Sequence, residues 1–373
     1  MSLSLTKSPD WLRPVYGQQE FIFNCPAQDY FLIDVSIVSK NDDIRLELLP
    51  NGDNIKVDFA NILQNYFDSS IYIHPNDLFY VIPDALVRYK LKVVSYVNDN
   101  STNIYYSGDY YCFNGVDQFD STYDANKYIF DSSAANKFLN TFNADRKLHL
   151  NDSAYLQFFQ GVPFATYDSS FNGLLIQNHK KNGTIISQTI NYSFSDNNAK
   201  IVSINCSPVL LNSLYPALSI DEQTDYYTVK EKNSLSEAIK FYIYDVDNRF
   251  DRYYRLAYVD SNGATEMFNF DLMNLNNIKI DKQTYKVNNQ WKQFGNNITD
   301  KYTINTNWLD ENESLSLKDL WVSPYVCISD SSTLLTPIII DTNSIDILRR
   351  RNQKNISYKL DFSKSKEYYV QLR

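Results

Sequence analysis

Apolar and polar residues alternate through most of the chain, and β-branched and aromatic side chains fill many of the apolar positions. That period of two predicts strands. Glu20–Asn24 (EFIFN), Tyr30–Val38 (YFLIDVSIV) and Asp43–Leu49 open the series. Pro50-Asn51-Gly52-Asp53 is a turn signal before a strand at Asn54–Phe59. The period then changes. Phe59, Ile62, Leu63, Tyr66 and Phe67 fall at helical spacing, with Asp58 placed as a cap. Strands resume at Ala85–Val97 and Gly108–Phe113, so residues 1–113 read as an antiparallel β-sandwich carrying one short helix.

Residues 114–145 read as an acidic connector. The stretch 93–126 holds Asp99, Asp109, Asp117, Asp120 and Asp124 without a Lys or Arg, which suits an exposed segment. A middle β-domain is expected at 146–248. Arg146–Leu150 and Ala154–Phe159 read as a strand pair around Asn151-Asp152, and Lys180–Gly183 as a hairpin turn between Gly173–His179 and Thr184–Phe194. Ala199–Cys206, Asp225–Glu231 and Ala238–Asp245 complete that block. Residues 249–373 read as a C-terminal β-rich domain with one short helix. Tyr253–Val259 and Ala264–Phe270 form a hairpin turning at Asp260-Ser261-Asn262-Gly263, and Ile278–Val287 and Ile298–Asn305 extend the sheet. Asp310–Leu320 is helical, with acids in the first turn where they suit the helix dipole. Trp308 and Trp321 flank that helix and are expected to anchor the local core. Tyr325–Ile328, Leu334–Asp341, Ser344–Leu348 and Ile356–Ser363 finish as strands. The fold class is thus mainly β: two or three consecutive antiparallel β-sandwich-type domains with a few short helices.

Composition excludes several classes. Aromatic residues make up 15% of the 373 positions, a supply of large core rings that disordered chains lack. A net charge of −9 argues against a general nucleic-acid binder, which needs a basic surface to displace counterions. The opening MSLSLTKSPDWLRP has no apolar stretch of secretory-signal type, and no run approaches the length of a membrane-spanning helix. Cys25, Cys112, Cys206 and Cys327 lie far apart and read as buried free thiols.

No catalytic constellation stands out. His74, His149 and His179 have no partner at metal-ligand spacing, and nucleophile-elbow, zinc-protease and phosphate-loop motifs are missing. Asp245–Asp251 resembles the start of a calcium loop but lacks its turn Gly and distal Glu. No catalytic residue, cofactor or metal is therefore expected. Aromatic doublets recur at Tyr105-Tyr106, Tyr110-Tyr111, Phe158-Phe159, Tyr226-Tyr227, Tyr253-Tyr254 and Tyr368-Tyr369. On a strand one ring of each pair faces away from the core, which suits surfaces covered by partners.

Three stretches carry a resemblance. The first is Pro14-Val15-Tyr16, Phe31–Val38, Arg45–Pro50, and Val57-Asp58 leading into Ile62–Tyr66. The second is His149-Leu-Asn-Asp-Ser-Ala-Tyr-Leu156. The third is Tyr254-Arg-Leu-Ala-Tyr-Val-Asp-Ser-Asn-Gly263 with Phe268-Asn-Phe270, followed by Tyr302–Asn305, Trp308-Leu309 and Leu320–Val326. In order and spacing they resemble virion structural proteins of tailed phages of Bacteroidetes, the crAss-like phages included. Where that family usually carries a Trp and a Gly-Gly turn in the hairpin, this chain has Tyr258 and the single Gly263. The resemblance implies a non-enzymatic tail ring, hub or adaptor subunit, located in the virion and assembled in the bacterial cytoplasm. Its partners would be further copies of itself in a ring and other tail or portal-proximal proteins, without a membrane, and with nucleic acid only as a lumen contact.

Charge suggests where such copies meet. Residues 344–373 carry eight Lys and Arg against three acids, and 93–126 is wholly acidic. The interface candidates are therefore Arg349, Arg350 and Arg351 against Asp117 and Asp120, with Tyr110 and Tyr111 as outward rings. The alternative function is a glycan-binding β-sandwich, such as a phage receptor-binding protein. Outward rings gathered in one concave patch beside Asp and Asn would favour it.

Overall fold

The computed structural model describes residues 3–68, 70–116, 124–130, 136–142, 145–161, 171–192, 194, 198–244, 253–329, 334–342, 356–364 and 368–370. Strands dominate, arranged in several largely antiparallel sheets.

The first part comprises β1 (Ser4–Lys7), β2 (Leu12–Tyr16), β3 (Glu20–Asn24), β4 (Tyr30–Ile37), β5 (Asp42–Leu48), β6 (Asn54–Asp58), α1 (Ala60–Gln64), β7 (Phe79–Val81), β8 (Leu86–Val97), β9 (Asn100–Tyr106) and β10 (Tyr110–Val116). Two sheets, β1-β3-β6 and β2-β10-β8-β4-β5, share one core that includes Phe21, Phe23, Phe31, Ile33, Tyr89 and Val93. The alternation in β4 shows why. Phe31, Ile33, Val35 and Ile37 are fully buried, while Leu32, Asp34 and Ser36 between them are half-buried. Asp58 Oδ1 accepts from the Ala60 N–H as α1 begins. Much of 93–116 is strand rather than exposed connector, and Asp109 is held by Arg88 at 2.9 Å and Lys90 at 3.3 Å.

The second part comprises β11 (Arg146–Leu148), β12 (Tyr155–Gln160), β13 (Gly173–Lys180), β14 (Ile185–Asn191), β15 (Lys200–Asn205), α2 (Pro208–Leu214), β16 (Thr224–Glu231) and β17 (Ile239–Ile243). Sheets β11-β17-β16-β13-β14 and β12-β15-β7 enclose a second core around Phe158, Ile176, Val202, Tyr227 and Phe241. β11 and β12 do not pair with each other as the sequence suggested. β11 runs parallel to β17 and β12 antiparallel to β15, because the turn between them carries the chain from one sheet to the other. β7, from the first part, pairs with β15. Residues 138–142 pass through the interior rather than over the surface: Phe138, Leu139, Asn140 and Phe142 are buried, and the Leu139 N–H donates to the Gln157 carbonyl at 2.7 Å.

The third part comprises β18 (Tyr254–Val259), β19 (Thr265–Phe270), β20 (Met273–Val287), β21 (Gln290–Asn305), α3 (Glu311–Ser316), α4 (Lys318–Val322), β22 (Val326–Ser329), β23 (Leu335–Ile340), β24 (Lys359–Lys364) and β25 (Tyr368–Val370). They form one sheet, β19-β18-β22-β23-β24-β21-β20, with β25 beside β21. The two helices pack Leu317 and Leu320 onto it. Asp310 and Glu313 close a capping box at the start of α3, where the sequence placed acids. Trp321 packs against this core, edge-on to Tyr358. Trp308 does not. It is 55% exposed, because its neighbour Leu309 turns inward instead and ties its backbone to Ile356.

Candidate assembly surface

The hairpin β18–β19 is the joint of the molecule. Gly263, at its tip, has φ +74°, and a Cβ there would stand 1.9 Å from the Asn114 carbonyl oxygen of the first part. Val116 N–H donates to the Ser261 carbonyl at 2.7 Å. Asp260 is fully buried and accepts from the N–H groups of Thr141, Asn262 and Ala264 at 2.8–2.9 Å. Ser261 and Thr141 both donate to Asp319 of α4. On the other side, Arg146 and Glu266 form a buried pair at 2.7 Å.

The strand residues bind the middle part. Arg255 donates to the Asn269 side chain at 2.6 Å, to the Ser153 carbonyl, and to Asp152 at 3.3 Å. Asp152 also accepts from Asn269 at 2.6 Å, Tyr253 at 2.7 Å and the His149 N–H at 2.8 Å. The stretches His149–Leu156 and Tyr254–Phe270 therefore lock into each other. Asp152, Arg255, Asp260, Glu266 and Asn269 are committed to this joint. Burial, with the neighbouring Glu266 and Asp319 carboxylates, pushes the Asp260 carboxyl well up from its usual range. Burial also raises Glu266 against the pull of Arg146.

The next hairpin, β20–β21, is built in the opposite way. Its turn is Asn288-Asn289, with φ 50° and 61°, the left-handed pair that a two-residue hairpin requires. The strand expected at Ile278–Val287 ends where this turn begins, and Asn-Asn between Val287 and Gln290 is its local signal. β24 and β25 cover part of β21; among the described residues the pair nearest the turn is Val370 opposite Asn296. β20 is the edge of its sheet. Every residue from 282 to 292 is exposed, including Tyr285 at 44%, Val287 at 36% and Trp291 at 71%. Lys282, Lys286 and Lys292 lie in the same stretch with no acid. Opposite residues share a face, so Tyr285 sits beside Lys292 and Lys286 beside Trp291.

The residues singled out from the sequence fall elsewhere. Tyr111 is buried and Tyr110 half-buried against Phe21 and Tyr89. Their strand is covered on both faces, by the first core and by a second cluster around Phe113, Phe159 and Ile201, so neither ring is free for a partner. Phe158-Phe159 is covered on both faces for the same reason. Asp117, Asp120, Arg349, Arg350 and Arg351 lie outside the described residues, as does the Asp245–Asp251 stretch. His149 packs against Tyr244 and Tyr253, His179 stacks on Tyr226, and His74 is buried between Tyr80 and Tyr155. All four cysteines are buried free thiols. Among the described residues no cluster of three or more His, Cys, Asp and Glu is placed to hold a metal, and no helix is long and apolar enough to cross a membrane. Among the described residues the exposed Tyr and Trp rings are spread along the chain: Trp11, Tyr16 on β2, Tyr106 on β9, Tyr192 after β14, Tyr285 and Trp291 at the end of the β20–β21 hairpin, and Trp308.

No family model and no curated protein matches the chain. A solved structure of the selenomethionine-substituted chicken interferon gamma receptor alpha chain is similar over 65% of this chain and 97% of its own, at 10% identity and a TM-score of 0.18, a likeness too slight to argue from.

Proposed function

We propose that this β-sandwich protein is a structural assembly subunit that works by protein–protein contact and not by catalysis. The observation that carries the reading is the arm: a β20–β21 hairpin whose last eleven residues are exposed on both faces and combine Trp291, Tyr285 and Val287 with three lysines. Interface cores are enriched in Tyr and Trp, and a bare two-stranded ribbon is marginal in water unless something covers it. The stiff joint supports the same reading, since a subunit that transmits contacts around an assembly needs fixed angles between its parts. With the sequence resemblance, the role proposed is a tail ring, hub or adaptor of a tailed phage, homo-oligomeric and located in the virion.

The test is native mass spectrometry of the full chain and of the double variant Tyr285→Ala, Trp291→Ala. Exposed side chains far from the core change stability by about 0.5 kcal/mol or less, so the variant should stay folded. The expected result is an oligomer for the unmodified chain and a monomer for the variant. An unmodified chain that is monomeric at every concentration, or a variant that assembles equally well, overturns the proposal.

A further inference from the structure

A cleft of about 250 Å³ opens at the root of the arm, lined by residues on either side of it: Asp271 before β20 and Trp308 after β21, together with Tyr244, Phe268, Lys147 and Glu313. Asp271 Oδ2 accepts from the Tyr244 hydroxyl at 3.0 Å, and Oδ1 is buried with no hydrogen-bond partner among the described residues. A buried carboxylate oxygen without a donor is costly, and a cation removes the cost. The cation in the wall, Lys147, is already held by Glu313 at 2.6 Å. What remains on offer is three aromatic rings beside the negative charge of Asp271, the combination that receives an ammonium or guanidinium group.

The chain carries a matching group on an exposed apolar surface, the lysines of the arm tip. They cannot reach the cleft of their own copy. A 15-residue strand at about 3.3 Å per residue separates the arm's tip from its root by roughly 45 Å. We infer that the cleft receives a lysine from the arm tip of a second copy, so that copies join tip to root. This rests on the assembly reading above and names the receiving site. A tip-to-root contact joins two different surfaces, so it repeats from copy to copy and closes into a ring where the rotation allows. It weakens as salt screens the charge.

The experiment uses two full-length variants, alone and mixed, in native mass spectrometry at low and moderate salt. The arm variant is Lys282→Glu, Lys286→Glu and Lys292→Glu. The cleft variant is Asp271→Asn with Trp308→Ala. Trp308→Ala is also made alone, because that exposed side chain is not needed for folding. Each variant alone should be monomeric, and Trp308→Ala alone should shift assembly towards monomer. An equimolar mixture of the arm and cleft variants should give dimers and nothing larger, since one intact tip–cleft pair can form per pair of chains. If the cleft variants assemble like the unmodified chain while the arm variant does not, assembly stands and the cleft is not its receiving site. If both variants alone are monomeric but the mixture gives no dimer, the tip–cleft pairing is overturned. If the unmodified chain never assembles, the assembly reading itself falls.

Discussion

Two hairpins follow one another in this chain, β18–β19 and β20–β21, separated by Asp271 and Leu272. Both read as alternating strands, yet one is buried almost throughout and the other is bare at its end. The difference lies in where their polar residues go. Arg255, Asp260, Glu266 and Asn269 each meet a named partner from another part of the chain. Lys282, Lys286 and Lys292 are exposed, Lys286 beside Trp291 and Lys292 beside Tyr285. The first hairpin spends its polar groups on internal connection. The second leaves its polar and apolar groups together on the surface, the composition of an interface.

That contrast predicts unequal responses to substitution. The largest effect is expected at Arg255. Removing one partner of a buried, hydrogen-bonded ion pair costs about 3–5 kcal/mol, so Arg255→Ala should lower the denaturation midpoint severely. Lys286→Ala on the arm should leave that midpoint unchanged. Equal losses in the two variants would erase the distinction between the hairpins.

Next comes Gly263→Ala. The added Cβ meets the Asn114 carbonyl oxygen at a left-handed φ, and forcing atoms into a packed site costs about 1–3 kcal/mol. Differential scanning calorimetry should show a lower melting temperature. A variant as stable as the unmodified chain would mean that β10 and the hairpin do not bear on each other.

The smallest effect is a pH dependence. Asp260 and Glu266 have folded values raised by burial, while in the unfolded chain they titrate near the ordinary carboxylate value, about 4. As pH rises above that value the unfolded chain releases protons that the folded hairpin retains. Linkage then makes this contribution fall with rising pH until the raised folded values are passed. The stretch 282–292 has no carboxylate to titrate. Hydrogen exchange should therefore show the opening free energy of β18–β19 amides falling between pH 4 and pH 8, with that of the arm tip flat. An opening energy of β18–β19 that rises over the range would reverse the assignment of direction.

Local chemistry made much of the fold legible. Alternation located β3, β4, β5, β6, β8, β13 and β18–β19 to within a few residues, because a strand with one buried face must alternate. Asp310 and Glu313 announced α3, since a capping box is a contact within four residues. The Asn288-Asn289 turn is equally local, two residues in the left-handed region between paired strands. None of the candidate interface residues could be placed by the same means. Whether Tyr111 is a surface ring depends on a second layer, around Phe159 and Ile201, that covers its strand from the other side.

The sequence by itself determined the β class, most strand positions, the buried free thiols and the helices α1 and α3 but not α2, because period, propensity and capping act over a few residues. Only the tertiary structure decided that β7 joins the middle sheets, that residues 138–142 run through the interior, and that His149–Leu156 closes on Tyr254–Phe270. It also decided which of two neighbouring hairpins became the joint and which the arm. Those outcomes depend on partners roughly 100 residues or more away, such as Asp152 for Arg255 and Asn114 for Gly263, and no local pattern carries the identity of a distant partner.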